Sequence, residues 1–340
     1  MKTIFVGLSG GVDSAVSAHL LKKAGHRVVG VFMKVWEPDF LPCTSGQDRL
    51  DAMRVAAHLE IPFLTYDFEE EYQKGVVDYF VDAYRRGKTP NPDVLCNRTI
   101  KFGTFWQRAQ SEGADAVATG HYAISELHAA RWKLHAGVDA TKDQSYFLWT
   151  LTQSDLSHVL FPVGGLLKSE VRRIADAIHL PNATKKDSQG LCFLGHVAMK
   201  EFLQHYLPTT AGEVKDETGA VVGRHDGAWF YTVGERFPLG GDTKVYVVGK
   251  DVTKNTLTVS SKPTAENAKR TYDLSEVNWI RETPVSEQDY VAQVRYHGEK
   301  MPCRIEGATS TFKHPVMVAE GQSVVVYDEV TGECIGGGVA

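Results

Sequence analysis

Ile4-Phe5-Val6-Gly7-Leu8-Ser9-Gly10-Gly11-Val12-Asp13-Ser14 decides the fold of this chain. An apolar run ends in a Ser-Gly-Gly turn and a helical pattern follows at once, so the segment reads as strand, tight turn and helix start. That geometry aims backbone N–H groups and a helix N-terminus at an anion, and phosphate is the usual guest. The turn has no Lys and lacks the G-x-x-x-x-G-K-[ST] spacing, so it is not a Walker A loop. Its glycines let the backbone approach phosphate, and Ser9 and Ser14 add hydroxyls. Asp13 is a poor phosphate partner; it either orders the loop or helps hold a magnesium ion.

Outward from this turn, residues 3–8 read as a buried strand and 13–24 as a helix closed by Gly25. Val28 to Met33 and Pro62 to Tyr66 are further strand candidates, as is Ala114 to Thr119. Helical spacing marks Asp48 to Leu59, Val76 to Arg86 and Thr99 to Ser111. Alternating strands and helices predict an α/β fold, a doubly wound, Rossmann-like parallel sheet, with ligands beyond the carboxyl ends of its strands. Residues 34–46 and 87–97 read as long loops, which in compact domains are usually functional. After about residue 205 short alternating runs take over: Val221-Val222, Trp229 to Val233, Val245 to Val248 and Thr256 to Val259. From about 270 the alternation sharpens, as in Tyr290 to His297 and Ser323 to Tyr327, with turns such as Thr331-Gly332 between runs. The expected domains are 1–205, then a small β-rich unit over 206–268, then a C-terminal β-barrel over 269–340.

The chain has 340 residues, 43% hydrophobic and 23% charged, the composition of a globular protein of two or three domains. No stretch approaches a membrane span and the first strand begins at once, so neither membrane insertion nor a signal peptide is expected. Five cysteines argue against a disulfide scaffold and for a reducing, cytoplasmic setting. The net charge of −5 gives no global pull on nucleic acid, so an RNA site must be a local basic patch.

Two cysteines have unusual surroundings. Cys96 ends Asn91-Pro92-Asp93-Val94-Leu95-Cys96, a proline-stiffened segment expected to enter a helix near Asn97. A thiol at a helix start has a lowered pKa, and Asp93 is near enough in sequence to serve as acid or base. Cys192 follows Gly190 and the basic pair Lys185-Lys186. Residue chemistry alone leaves open whether these two thiols do chemistry or fill core space as small hydrophobes, the reading given to Cys43, Cys303 and Cys334.

A resemblance bears on that choice. S-G-G-V-D-S at 9–14, C-T-S with Asp48 and Asp51 over 43–51, N-P-D-V-L-C-N at 91–97, T-G-H-Y-A at 119–123, K-D-Q-S-Y-F-L at 142–148, D-S-Q-G-L-C-F at 187–193, R-Y-H at 295–297 and G-Q at 321–322 are the carriers. The first is shared by ATP pyrophosphatases at large; the two cysteine motifs are far more specific. Across nearly its full length the chain resembles the tRNA-specific 2-thiouridylases. The resemblance implies transfer of AMP from ATP to a wobble-uridine carbonyl oxygen, then its replacement by sulfur. It implies a persulfide on Cys192, Cys96 as the nucleophile towards it, and a transient Cys96–Cys192 disulfide, with Asp93 as acid or base. It further implies ATP contacts at Gly7, Leu8, Ser9, Gly10, Gly11, Val12, Asp13, Ser14, Met33 and Gly120. The target base would meet Asn91, Pro92 and Asp93, and tRNA would meet His121, Lys142, Asp143, Gln144, Arg295, Tyr296 and Gln322. ATP with Mg2+, tRNA and a sulfur-donor protein are the implied cofactors and partners; an iron–sulfur cluster on Cys96, Cys192 and Asp93 is an alternative sulfide carrier.

Bland alternatives stand beside these roles. His121 can cap a strand end, Lys142-Asp143-Gln144 can be a wet turn, and Arg295 and Tyr296 can face out from an alternating strand. Lys168, Arg172, Arg173, Lys185, Lys186, Arg85, Arg86, Lys88, Arg98 and Lys101 are candidates for a phosphate-binding face or ordinary solvated charge. The chain departs from the family pattern at Glu235, at Phe237-Pro238-Leu239-Gly240-Gly241, at Gln189 and at Glu320. The rival functions are an adenylate-forming amidotransferase or ligase, which needs neither thiol, and a nucleotide- and RNA-binding module without catalysis.

Overall fold

A computed structural model describes residues 1–40, 45–186, 199–240, 244–261 and 268–340. Cys43, Gln189, Cys192 and Gly241 lie outside the described residues. The first unit is built on β1 (Thr3–Gly7), β2 (Arg27–Lys34), β3 (Phe63–Asp67), β4 (Ala116–Ala118) and, after a hairpin, β7 (Val159–Leu160). All four pairings are parallel, in the order β3-β2-β1-β4-β7. Val28, Val29 and Val31 of β2 and Ile4, Phe5 and Val6 of β1 are buried, as a sheet covered on both faces requires. The chain steps from β1 to β2 on one side and places β4 on the other side. The crevice between β1 and β4 is therefore the switch point where such sheets bind ligands. The helix α1 (Val12–Lys23) begins at that crevice and ends at Gly25, whose φ of +84° suits glycine. The helix α2 (Ser45–His58) follows β2.

Three sequence expectations change here. The segment 87–97 is not one loop: Asn91 caps a helix that starts at Pro92, so Asn97 lies inside the helix and is not its cap. Trp229 to Val233 does not form a strand, because Ala228–Phe230 make a 3-10 turn after Gly227 at φ +148°. The strand beginning at Tyr290 ends at Gln293, so Arg295 and Tyr296 follow it in a loop where His297 adopts φ +56°.

The hairpin of β5 (Ala123–His128) and β6 (Arg131–Ala136) left no sequence signal, yet it joins two units. The middle unit holds β8 (Gly212–Lys215), β9 (Val221–His225), β10 (Arg236–Phe237), β11 (Val245–Asp251) and β12 (Thr256–Ser260), ordered β10-β11-β12-β8-β9. The C-terminal unit holds β13 (Lys269–Asp273), β14 (Ser275–Trp279), β15 (Tyr290–Gln293), β16 (Met301–Glu306), β17 (Thr309–Val316), β18 (Ser323–Asp328) and β19 (Glu333–Val339). Its strand β19 pairs with β6 through Glu333–His135 and Cys334–Leu134, so one sheet runs from the C-terminal unit into the hairpin of the first.

Candidate functional site

The glycine turn folds as its sequence predicts. Gly11 precedes α1 in extended conformation and no side chain caps the helix, so its first-turn N–H groups face the turn unclaimed by a side chain. Ser14 Oγ donates to the Gly11 carbonyl (3.2 Å) and accepts from the Ser9 N–H (3.3 Å), and Ser9 Oγ accepts from the Gly11 N–H (3.3 Å). Gly10 has φ +78°, and a Cβ there would stand 2.5 Å from the Asp48 carbonyl oxygen. Leu8 and Val12 are buried beneath the turn. Gly120, just past β4, lies against α1: a Cβ there would stand 2.7 Å from the Ser14 nitrogen. Met33 lies over Gly7, its Cε 2.8 Å from where a Cβ would be. All ten expected ATP contacts thus gather at the ends of β1, β2 and β4.

Asp13 orders the loop. Its Oδ1 accepts from Tyr122 Oη (2.8 Å), and both oxygens accept from Lys168 Nζ (2.7 and 2.8 Å). Lys168 opens the helix Lys168–Ala177, 155 residues away in sequence. The loop has no lysine of its own, and the fold brings one to it. A carboxylate already neutralised by an ammonium is a poor fit for the magnesium ion the resemblance implies. Among the described residues no group of three His, Cys, Asp or Glu could hold a metal. Asn182 donates to the Gly10 carbonyl (2.9 Å) from a buried position. Lys185 bridges Asp48 and Asp51 at 2.7 Å each, which raises its own pKa against the cost of burial and lowers that of Asp51.

The thiol segment is held by its cap. Asn91 Oδ1 accepts from the Asp93 N–H (3.1 Å) and the Val94 N–H (3.3 Å), and Pro92 takes the first helical position, where no N–H is needed. Cys96 is then the fifth helical residue and 3% exposed, beyond the first turn where a helix N-terminus favours a thiolate. Asp93 is half-buried; burial pushes its carboxyl above the ordinary range, against the pull of Lys101. Burial, with Lys101 nearby, holds His121 well below the usual histidine range. His121 is 7% exposed, its Nδ1 is 2.7 Å from Thr119 Oγ1, and Phe102 and Phe161 flank its ring. The helix from Pro92 runs through a π-helical stretch, Asn97–Thr104, into Phe105–Ser111. Phe102 therefore links the thiol helix to His121, next to Gly120 and the phosphate turn.

The remaining tRNA candidates divide. Asp143 accepts from the Gly137 and Ser145 N–H groups, and Gln144 exchanges hydrogen bonds with the Tyr122 backbone, so both shape their own loop. Lys142 is half-buried beside them. Arg295 is exposed, while Tyr296 packs 4.4 Å from the Phe147 ring. Burial, with Asp143 and Asp93 nearby, pushes the Tyr296 hydroxyl up, which sets it between the two loops. Gln322 donates to the Thr89 carbonyl (3.0 Å) and grips the loop before Asn91 from the C-terminal unit. Several basic candidates are committed within the fold: Arg85 and Arg86 to Asp82, Lys88 to Glu320, and Arg98 to Glu276. Cys303 and Cys334 are buried with pKa values pushed up to about 12, inert as read.

Comparison with known proteins adds the following. Residues 2–196 match the family model described as tRNA methyl transferase HUP domain, residues 200–261 the tRNA methyl transferase PRC-barrel domain, and residues 269–340 the aminomethyltransferase beta-barrel domain. The chain is 44% identical over 359 residues to the tRNA-specific 2-thiouridylase MnmA of Enterococcus faecalis, covering 99% of this chain and 94% of that one. It is 44% identical over 353 residues to the protein of the same name from Nitrosomonas europaea, covering 99% and 97%. With the one from Bacillus subtilis the identity is 43% over 360 residues, covering 98% and 94%.

Proposed function

The chain belongs to the tRNA-specific 2-thiouridylase family, and from that premise we propose that it places sulfur on C2 of a tRNA wobble uridine at the expense of ATP. The domain models carry the description methyl transferase, but the relatives matched over nearly the whole chain are named tRNA-specific 2-thiouridylase, and the thiol of Cys96 on its Asn91-capped helix suits that chemistry.

ATP lies across the turn with its phosphates on the first-turn N–H groups of α1. The uracil O2 attacks the α-phosphorus; the bond to the β-phosphate oxygen breaks and pyrophosphate leaves. Lys168, turning from Asp13, meets the charge that develops on that leaving group. The oxygen, now part of an AMP ester, can depart. The terminal sulfur of a persulfide on Cys192 adds to C2 and AMP leaves. The Cys96 thiolate attacks the Cys192 sulfur, the S–S bond to the base breaks, and 2-thiouridine is released with a Cys96–Cys192 disulfide left behind. A thiol reductant restores the pair. Asp93, with its raised pKa, moves a proton on or off the base held against Asn91 and Pro92. The sulfur arrives from a donor protein; Lys142, Asp143, Gln144, Arg295, Tyr296 and Gln322 border the path of the tRNA, while the buried His121 braces the Thr119–Gly120 end of β4 from inside.

The observation that carries this reading is the junction of an uncapped phosphate turn with the Asn91-capped thiol helix through Phe102 and His121. The test is tRNA thiolation with pyrophosphate release measured in parallel. Cys192→Ser and Cys96→Ser are expected to abolish 2-thiouridine while tRNA-dependent pyrophosphate release persists. Normal thiolation in either variant refutes the two-thiol scheme. Pyrophosphate release that does not need tRNA points instead to an amidotransferase or ligase. Iron bound to anaerobically purified protein, and lost on Cys96→Ser, favours the cluster.

A further inference from the structure

The peptide unit that joins Gly10 to Gly11 lies within the phosphate turn, and neither residue has a side chain to hold it. Gly10 stands at φ +78°, Gly11 at φ −83° and ψ 162°. A trans peptide is planar, with its C=O and N–H on opposite sides, so the direction of the Gly10 carbonyl fixes that of the Gly11 N–H. Glycines on both sides let this unit turn over at little steric cost, because Gly11 would then enter the positive-φ region that glycine visits freely. Turned over, the unit would aim an oxygen at the phosphates in place of a donor. In the observed orientation the Gly11 N–H points to Ser9 Oγ (3.3 Å), and the Gly10 carbonyl points the other way, to Asn182.

Asn182 Nδ2 donates to that carbonyl at 2.9 Å, and the residue is 5% exposed, so bulk water does not compete for the bond. Its Oδ1 has no partner among the described residues. An amide buried with one end unpaired costs stability, so packing alone does not account for an asparagine here. The residue stands on a braced turn. After the helix Lys168–Ala177, His179 adopts φ +54°, and Arg172 Nη1 donates to the carbonyls of Ala183 (2.7 Å) and Lys185 (2.6 Å). Lys185 pairs with Asp48 and Asp51 of α2, and the Asp48 carbonyl lies over Gly10. Segment 182–185 thus reaches the turn twice, directly through Asn182 and by way of α2 through Lys185.

We propose that Asn182 is a positioning residue for the nucleotide: its side chain holds the Gly10–Gly11 peptide with the N–H towards the phosphates of ATP. This rests on the reading that those phosphates lie on the turn. The hold acts on one peptide unit, so it governs affinity for ATP and leaves the binding of tRNA alone.

The test is equilibrium binding of ATP to the full chain, with Tm measured on the same variants. Asn182→Leu keeps the branched skeleton, brings no donor and keeps water out; it is expected to weaken ATP binding about tenfold, the scale of one hydrogen bond to a charged group. Asn182→Ala leaves room for a water that donates to the Gly10 carbonyl, so its loss is only about threefold. The space it opens lowers Tm further than Leu does. Affinity and stability therefore fall in opposite orders, which a side chain that only props the fold does not produce, and tRNA affinity measured without nucleotide holds in both variants. Parental ATP affinity in Asn182→Leu, or ATP affinity that follows Tm across the two variants, overturns the proposal. Should Asn182→Leu fail to fold, parental ATP affinity in Asn182→Ala overturns it. A parent chain that binds ATP no more tightly than adenosine would instead overturn the reading it rests on.

Discussion

Asp93 shows how one side chain trades stability for chemistry. Its folded pKa lies above its unfolded value, so the fold binds its proton more tightly, and the group costs stability as pH rises through that range. Asp93→Asn is therefore expected to be more stable than the parent at pH 7, the advantage vanishing below about pH 4, while thiolation is lost; urea denaturation at both pH values checks the first part. At Gly120 the limit is space. Gly120→Ala forces a Cβ onto the Ser14 nitrogen and is expected to abolish ATP binding, read by equilibrium dialysis, with the sheet intact. Lys168→Met removes the ammonium that pairs with Asp13 on the turn and should cut tRNA-dependent pyrophosphate release about 100-fold; a loss under threefold would remove Lys168 from the reaction. The identities of these residues were legible in the sequence, but the reach of Lys168 to Asp13 was not, because 155 residues separate them.

The helix from Pro92 to Ser111 was legible only in part. Helical spacing marked its second half, while the two prolines made its first turn look like loop. The decisive fact is geometric: Pro92 fits the first helical position and Asn91 accepts from two N–H groups, so the helix starts five residues before Asn97. Asn91→Ala removes that cap and is expected to cost about 1 kcal/mol in global stability. It should also lower thiolation more than stability alone explains, since the cap aims Asp93; Tm and kcat measured together check both. The wider turn of Asn97–Thr104 packs beside a second π-helical stretch, Gln73–Asp78, with Thr99 beside Gly75. Such wide turns occur often at functional sites, and no local pattern announces them.

Across the whole molecule the units are not beads on a string. The β5–β6 hairpin pairs with β19, Trp149 Nε1 donates to Ser323 Oγ (3.1 Å), and Tyr146 Oη donates to the Ser323 carbonyl (3.1 Å). A chain cut after residue 268 loses these partners and uncovers Leu134, Tyr146 and Trp149, all buried in the intact protein. It is expected to aggregate or to bind a hydrophobic dye at 25 °C; a monomeric fragment that still releases pyrophosphate with tRNA would show that the first unit stands alone.

The glycine turn before α1 and the parallel sheet could be read from the residues alone, and so could the presence of two cysteine motifs. Each is local, written in glycines that permit one backbone path or in apolar periods that suit one element. The folded chain was needed to show that Asp13 pairs with Lys168, that His121 is buried and neutral, that Arg295 and Tyr296 have left their strand, and that three units converge on Thr89. Those outcomes depend on burial and on contacts between distant segments, and neither charge cost nor packing partner is defined until the chain has closed on itself.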